Sequence, residues 1–165
     1  MRFRVEHTFS GISLQAYETL FFDEPFNIAL CQAVKLARTL ESRTLDSGRL
    51  RRATRIGPER EIPAPVPKVL GTTKFEYTEH IDYTMGSFKG TWKTVPAMMA
   101  DKVESAGTFS FVARGNDVTR IVEGDVKVKI FGLGAVIERF VVADVERSYD
   151  AAADFTRQWI AKGGR

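Results

Sequence analysis

Polar and apolar residues alternate strictly from Arg2 to Phe9, with Phe3, Val5, His7 and Phe9 on one face and Arg2, Arg4, Glu6 and Thr8 on the other. That period of two predicts a half-buried strand. Ser10-Gly11 ends it. Leu14, Tyr17, Leu20 and Phe21 then fall at helical spacing, predicting a short helix over 14–22 with Ser13 as its cap. Asp23 and Pro25 suit the start of a second helix, which Phe26, Leu30 and Val34 carry to about Val34. The period returns to two from Leu36 to Asp46, turns at Ser47-Gly48, and runs back from Arg49 to Gly57. Three more strands read as Thr72–Thr84, Ser87–Val95 and Lys102–Ala113. Past the turn at Gly115-Asn116-Asp117 comes a last one, Val118–Lys129. Pro58, Pro63, Pro65 and Pro67 bar a central strand or long helix from 58–70. That stretch reads as a surface loop with apolar teeth at Ile62, Val66, Val69 and Leu70. It is either a lid or membrane-touching loop, or a proline-stiffened connector.

Phe131-Gly-Leu-Gly134 is a hinge into one long helix ending near Lys162. Such a helix runs roughly 43 Å at 1.5 Å per residue and needs a broad surface. Its apolar line is Ile137, Val141, Val145, Tyr149, Ala152, Phe155 and Trp159, with Phe140, Ser148 and Thr156 beside it. Short turns make the late strands antiparallel neighbours. The expected fold class is α+β: a seven-stranded curled antiparallel sheet around a long C-terminal helix, in the order β-α-α-β-β-β-β-β-β-α. Gly90, Gly107 and Gly124 on facing strands would permit the curl. A straight helix across a curled sheet leaves a gap, and Ser148, Ala152 and Ala153 are small enough to leave it open. The same residues also suit a filled core with close helix packing, so pattern alone leaves both outcomes standing.

Composition narrows the function classes. The chain has 165 residues, 44% hydrophobic and 27% charged, which suits one domain over 1–165 with a real core. A net charge of +3, from 24 basic and 21 acidic residues, lacks the clustered footprint of a nucleic-acid binder. One cysteine, Cys31, excludes an internal disulfide framework. No apolar run suggests a signal peptide or a transmembrane span, so a cytoplasmic location is expected.

The candidates for chemistry are few. His7, on the apolar face of the first strand, is either a satisfied core or rim histidine or a group that donates to a ligand or acts as a base. His80 is expected outside. Glu79 shares a face with Tyr77, Ile81 and Tyr83, where a carboxylate needs a partner or a raised pKa. Arg52, on one face with Leu50, Thr54 and Ile56, is the candidate partner. A bulge that turns Glu79 outward is the alternative. Asp144, beside the helix's apolar line, is equally ambiguous. Two histidines and one cysteine make no standard zinc site, and no metal or cofactor is assigned. Ser148 has no Gly-x-Ser-x-Gly around it, and the hinge lacks the third glycine of a dinucleotide fingerprint. Arg49, Arg51, Arg52, Arg55 and Arg60 are split between faces and diluted by Glu59 and Glu61. They read as a solvated edge, or as a patch for transient contact with an acidic membrane surface.

The whole order of elements resembles the START-like superfamily, also called SRPBCC or polyketide cyclase/dehydrase and lipid transport, with its helix-grip fold. The tail from Val122 to Phe140, ending in Asp154-Phe-Thr-Arg-Gln-Trp-Ile160, and the segment Val66-Pro-Lys-Val-Leu70 resemble an uncharacterised bacterial family within it. The resemblance implies a hydrophobic-ligand cavity under the long helix and supplies no reaction. The expected function is binding or transport of a small hydrophobic or amphipathic molecule. The pocket would take Tyr77, Glu79, Tyr83, Phe88 and Trp92 from two strands, Phe109, Phe111 and Val126 from two more, and Val141, Ser148, Ala152 and Phe155 from the helix. Two alternatives stay open: a cyclase or aromatase using Glu79, His7 or a tyrosine, and an interaction module with a closed cavity. Oligomeric state is not legible.

Overall fold

A computed structural model describes residues 1–58 and 75–164. The elements are β1 (Arg2–Ser10), α1 (Leu14–Phe21), α2 (Glu24–Ala33), β2 (Leu36–Asp46), β3 (Arg49–Pro58), β4 (Tyr77–Thr84), β5 (Lys89–Pro96), β6 (Val103–Arg114), β7 (Asp117–Val128) and α3 (Gly134–Ala161). All seven strands form one antiparallel sheet in the order β1-β7-β6-β5-β4-β3-β2. This is the helix-grip architecture expected from the order of elements. The Ile62–Leu70 loop and the part of the expected fourth strand before residue 75 lie outside the described residues.

Local chemistry accounts for the elements. On β1, Phe3, Val5, His7 and Phe9 are buried and the residues between them exposed. The Ser13 hydroxyl accepts from the Ala16 N–H at 3.1 Å and the Asp23 carboxylate from the Phe26 N–H at 2.9 Å, capping α1 and α2. Ser47 and Gly48 turn the β2–β3 hairpin with φ of 48° and 80°, as a two-residue turn that matches strand twist requires. The described part of the basic cluster divides as alternation demands, while Arg60 with Glu59 and Glu61 lies outside the described residues. Arg49 and Arg51 pair with Asp82, and Arg55 with Glu41, on the outer face, while Arg52 turns inward.

The β4–β5 connection differs from expectation. The turn runs on to Phe88, whose φ of 55° takes it out of the strand, and Ser87 Oγ donates to the Thr84 carbonyl while accepting from the Lys89 N–H. Phe88 still extends the β5–β6 ladder through its carbonyl, which accepts from the Phe111 N–H at 2.9 Å.

The three strand glycines have a specific role. Phe3, Gly124, Gly107, Trp92 and Ile81 form one cross-sheet row. A methyl group at Gly124 would overlap Trp92 and Phe3, and one at Gly107 would overlap the Glu123 carbonyl. The missing side chains let Trp92 lie over the row and reach Phe3, ring centroids 5.9 Å apart. In the next row Gly90 makes room for Tyr83 and Phe109, whose rings stack at 5.6 Å.

The hinge turns at Gly132, φ 74°. The Glu138 carboxylate then accepts from the Val128 N–H at 2.9 Å and from the N-terminal ammonium at 3.2 Å, tying the first turns of α3 to the end of β7. These contacts hold it below the usual carboxylate range.

Candidate functional site

α3 carries two adjacent stripes. Val142, Ala153 and Thr156 are buried, as is Ile137 near the start of the helix, and the helix makes its close approaches to β1, β7 and α2. At 3.6 residues per turn, Val141, Ser148, Ala152 and Trp159 lie about 100° round the helix from that stripe, and they are only half-buried. The opposite flank faces the sheet edge, where Arg157 Nε donates to the Thr8 carbonyl at 3.2 Å. The half-covered stripe therefore looks toward α2, which it meets where Phe26 touches Phe155 and Trp159, and toward the inner face of the sheet beyond β7. Ser148 and Ala152, the smallest residues of that stripe, sit midway along it.

The inner face opposite is polar in one row. Thr54, Glu79, Thr94 and Ser105 are direct neighbours across β3, β4, β5 and β6. Arg52, 7% exposed, places Nη2 3.5 Å from Glu79 Oε2, so Glu79 faces inward and takes the partner expected of it. The guanidinium also lies over the Phe22 ring, 5.8 Å from its centroid. Its Nε and Nη1, Thr54 Oγ1 and Trp92 Nε1 are buried with no partner among the described residues. Burial pushes the Arg52 guanidinium below its ordinary value, against the pull of Glu79. Arg38, on the same side, is held by Glu24 of α2 through two contacts.

Tyr77 and Tyr149 border this region from β4 and α3. Burial, then the Glu79 carboxylate, pushes both hydroxyls well above the ordinary tyrosine range. Each side chain nevertheless keeps partial accessibility. Cys31 on α2 is a buried free thiol whose pKa burial raises.

A second cluster lies farther along the sheet. His7, 8% exposed, sits directly across from Arg120, 4% exposed. His7 Nε2 is 2.8 Å from Asp150 Oδ1, and its Nδ1 is 3.5 Å from Arg120 Nη2. The tautomer that satisfies both contacts carries its proton on Nε2, which donates to Asp150, and accepts at Nδ1. The Arg120 guanidinium lies between the rings of Phe9 and Tyr149, at 5.5 and 5.2 Å.

The other expected pocket residues spread out. Tyr83, Phe109 and Phe111 pack with Phe21 at the end of α1 and Phe22 just after it in the core. Trp92 and Val126 are buried in the sheet's inner face, Phe88 is half-buried in its turn, and Val141, Ser148, Ala152 and Phe155 stay half-buried on α3. His80 is exposed. Two inward residues went unpredicted. Arg120 shares strand parity with Val118 and Val122, which signals its face. Glu18, buried on α1, lies four residues after Leu14 and accepts from the Tyr83 hydroxyl at 2.6 Å and the Gly86 N–H at 2.7 Å. A separate open depression of about 420 Å³ lies on the outer face of β2–β5, bordered by Thr44, Arg51, His80, Asp82, Thr91 and Lys93. Among the described residues, no helix is long and apolar enough to cross a membrane.

A family model described as Protein of unknown function (DUF2505) matches residues 4–160. The chain belongs to that family. No curated protein matches it in sequence. Among solved structures it is similar to TTHA0849 of Thermus thermophilus, at 13% identity and TM-score 0.69, covering 100% of both chains. It is also similar to a START superfamily protein of Mycobacterium smegmatis, at 15% identity and TM-score 0.56, covering 96% of this chain and 97% of that one. Norcoclaurine synthase of Thalictrum flavum aligns at 13% identity and TM-score 0.52, covering 94% of this chain and 87% of that one. At such identities the likeness establishes the fold, which is START-like.

Proposed function

We propose that this protein binds a small hydrophobic or amphipathic molecule between α3, α2 and the inner face of β3–β6. The observation that carries this reading is the half-covered stripe of α3. It presents Val141, Ser148 and Ala152 toward a sheet face that carries Tyr77, and both Tyr77 and the helix's own Tyr149 are only half-buried. The ligand's apolar part lies along that stripe, and its polar atoms meet the row of Thr54, Glu79, Thr94 and Ser105. Burying about 300 Å² of apolar ligand surface supplies about 7 kcal/mol before association costs.

A second reading, catalysis of the cyclase kind, is favoured by one feature. Glu79 is a 21% exposed carboxylate fixed by a buried arginine and set near two tyrosines. Such a group can move a proton on a positioned substrate. The fold is shared with a START superfamily protein and with a synthase, which supports either reading at the level of architecture.

Native mass spectrometry of the purified protein, before and after organic extraction and with a panel of lipids and polyketides, tests the binding reading. A retained or reloaded apolar molecule supports it, and a protein that takes up nothing contradicts it. Turnover that survives in both Glu79→Gln and His7→Ala contradicts the catalytic one.

A further inference from the structure

Among the described residues, three arginines have side chains buried against the inner face of the sheet, and two of them have acids. Arg38 is paired with Glu24, and Arg52 with Glu79. Among the described residues, Arg120 has no carboxylate at ion-pair distance. Its close polar contacts are neutral, the Nδ1 of His7 and the hydroxyl of Tyr17, and its Nε has no partner. Asp150 compensates it at one remove, through the imidazole, from a position that is 70% exposed to water. A buried charge without a counter-charge is expensive, and rings on two sides offset only part of that. The guanidinium lies under Tyr149, a residue that also borders the proposed ligand space.

We propose that Arg120 receives the anionic head group of the ligand, in the simplest case a carboxylate, so that the bound molecule is an amphipathic acid. The inference rests on the proposed binding function and adds the charge of the ligand and the end of the cavity where it sits. The acid's apolar body runs from Arg120 past Tyr149 along the Ser148–Ala152 stripe. The Arg52–Glu79 pair, already neutral as a unit, meets only uncharged polar atoms. His7 acts here as a positioning residue: it accepts from Arg120 and relays the field of Asp150.

The test compares acids with their neutral counterparts, decanoate with decanol and naphthoate with naphthol, by isothermal titration calorimetry on the full chain. The wild-type protein is expected to prefer the acid by about tenfold or more within at least one pair. Arg120→Gln should bring that ratio near one. Because Arg120→Gln can fail to fold, Asp150→Asn at the exposed end of the relay is the second variant. Removing that negative charge should raise the acid-to-neutral ratio by about three- to tenfold. An acid-to-neutral ratio near one in the wild type, or one that Asp150→Asn leaves unmoved, overturns the proposal while leaving the binding function intact, and assigns Arg120 to packing against Phe9 and Tyr149. If none of the four compounds binds, the binding function is itself contradicted for chain and aromatic ligands, and the inference falls with it.

Discussion

Arg52 on β3 and Glu79 on β4 meet diagonally across the sheet, Nη2 to Oε2 at 3.5 Å, on the face turned toward α3. The arginine is 7% exposed and the glutamate 21%. The two ends of the pair therefore differ in what happens when the other is removed. A stranded Glu79 still reaches water, whereas a stranded Arg52 does not.

That asymmetry gives the first prediction. Glu79→Leu should destabilise the protein by about 3–5 kcal/mol, because it leaves a buried cation uncompensated. Arg52→Met should cost about 1–3 kcal/mol, since Glu79 is partly solvated. The double variant should be more stable than Glu79→Leu alone. Urea denaturation of the three variants measures this, and additive single effects would rule out a coupled pair.

The four tyrosines give a pH prediction. Tyr17, Tyr77, Tyr83 and Tyr149 all have hydroxyl pKa values raised by burial. A raised folded-state pKa means the native state holds its proton more tightly than the unfolded chain does. The corresponding stability is fully present below about pH 10 and is lost as pH rises above it. Tyrosinate absorbance should therefore appear only together with loss of the far-ultraviolet circular dichroism signal. A tyrosine that ionises near pH 10 in the intact fold would contradict the enclosure of at least one of these side chains.

At the glycine row, Gly124→Ala should destabilise by about 1–3 kcal/mol, because the added methyl overlaps Trp92 and Phe3. Near-ultraviolet circular dichroism should report a displaced Trp92. Unchanged stability and an unchanged tryptophan band would mean that the glycine does not set the indole's position.

Glu18 joins α1 to the β4–β5 turn. Glu18→Leu leaves the Tyr83 hydroxyl and the Gly86 N–H without an acceptor, at a cost of about 2–3 kcal/mol. Faster hydrogen exchange at Gly86 should accompany it. Wild-type protection there would show that another group holds the turn.

Much of the fold is legible in the sequence because strand alternation is a strong signal. It places His7 and Glu79 on the covered face and separates Arg52 from Arg49, Arg51 and Arg55. Arg120 carries the same signal, hidden among the valines around it. Glu18 falls on the apolar side of α1, where one acid among aromatic residues gives no hint of the tyrosine it binds 65 residues away. The apolar line of α3 reads as one stripe but is two, since helical spacing sets the angles between residues and not which angle the sheet meets. Phe88 reads as a strand residue because its left-handed backbone is set by the turn around it, which has no periodicity. The glycines read as permitting curvature. Their use as seats for Trp92, Tyr83 and Phe109 depends on cross-strand register, which local pattern does not contain.

The central claim is that the space beside Ser148 and Ala152 holds a ligand, and filling it is the most direct test. Ser148→Trp places an indole in that space from the middle of the half-covered stripe. Ligand uptake should be measured by native mass spectrometry on wild-type and variant protein, with thermal unfolding as a check that both are folded. The wild type should load an apolar or amphipathic molecule, and the folded variant should load at least about tenfold less. Equal loading of the two proteins, or none by the wild type, would contradict a ligand site between α3 and the sheet.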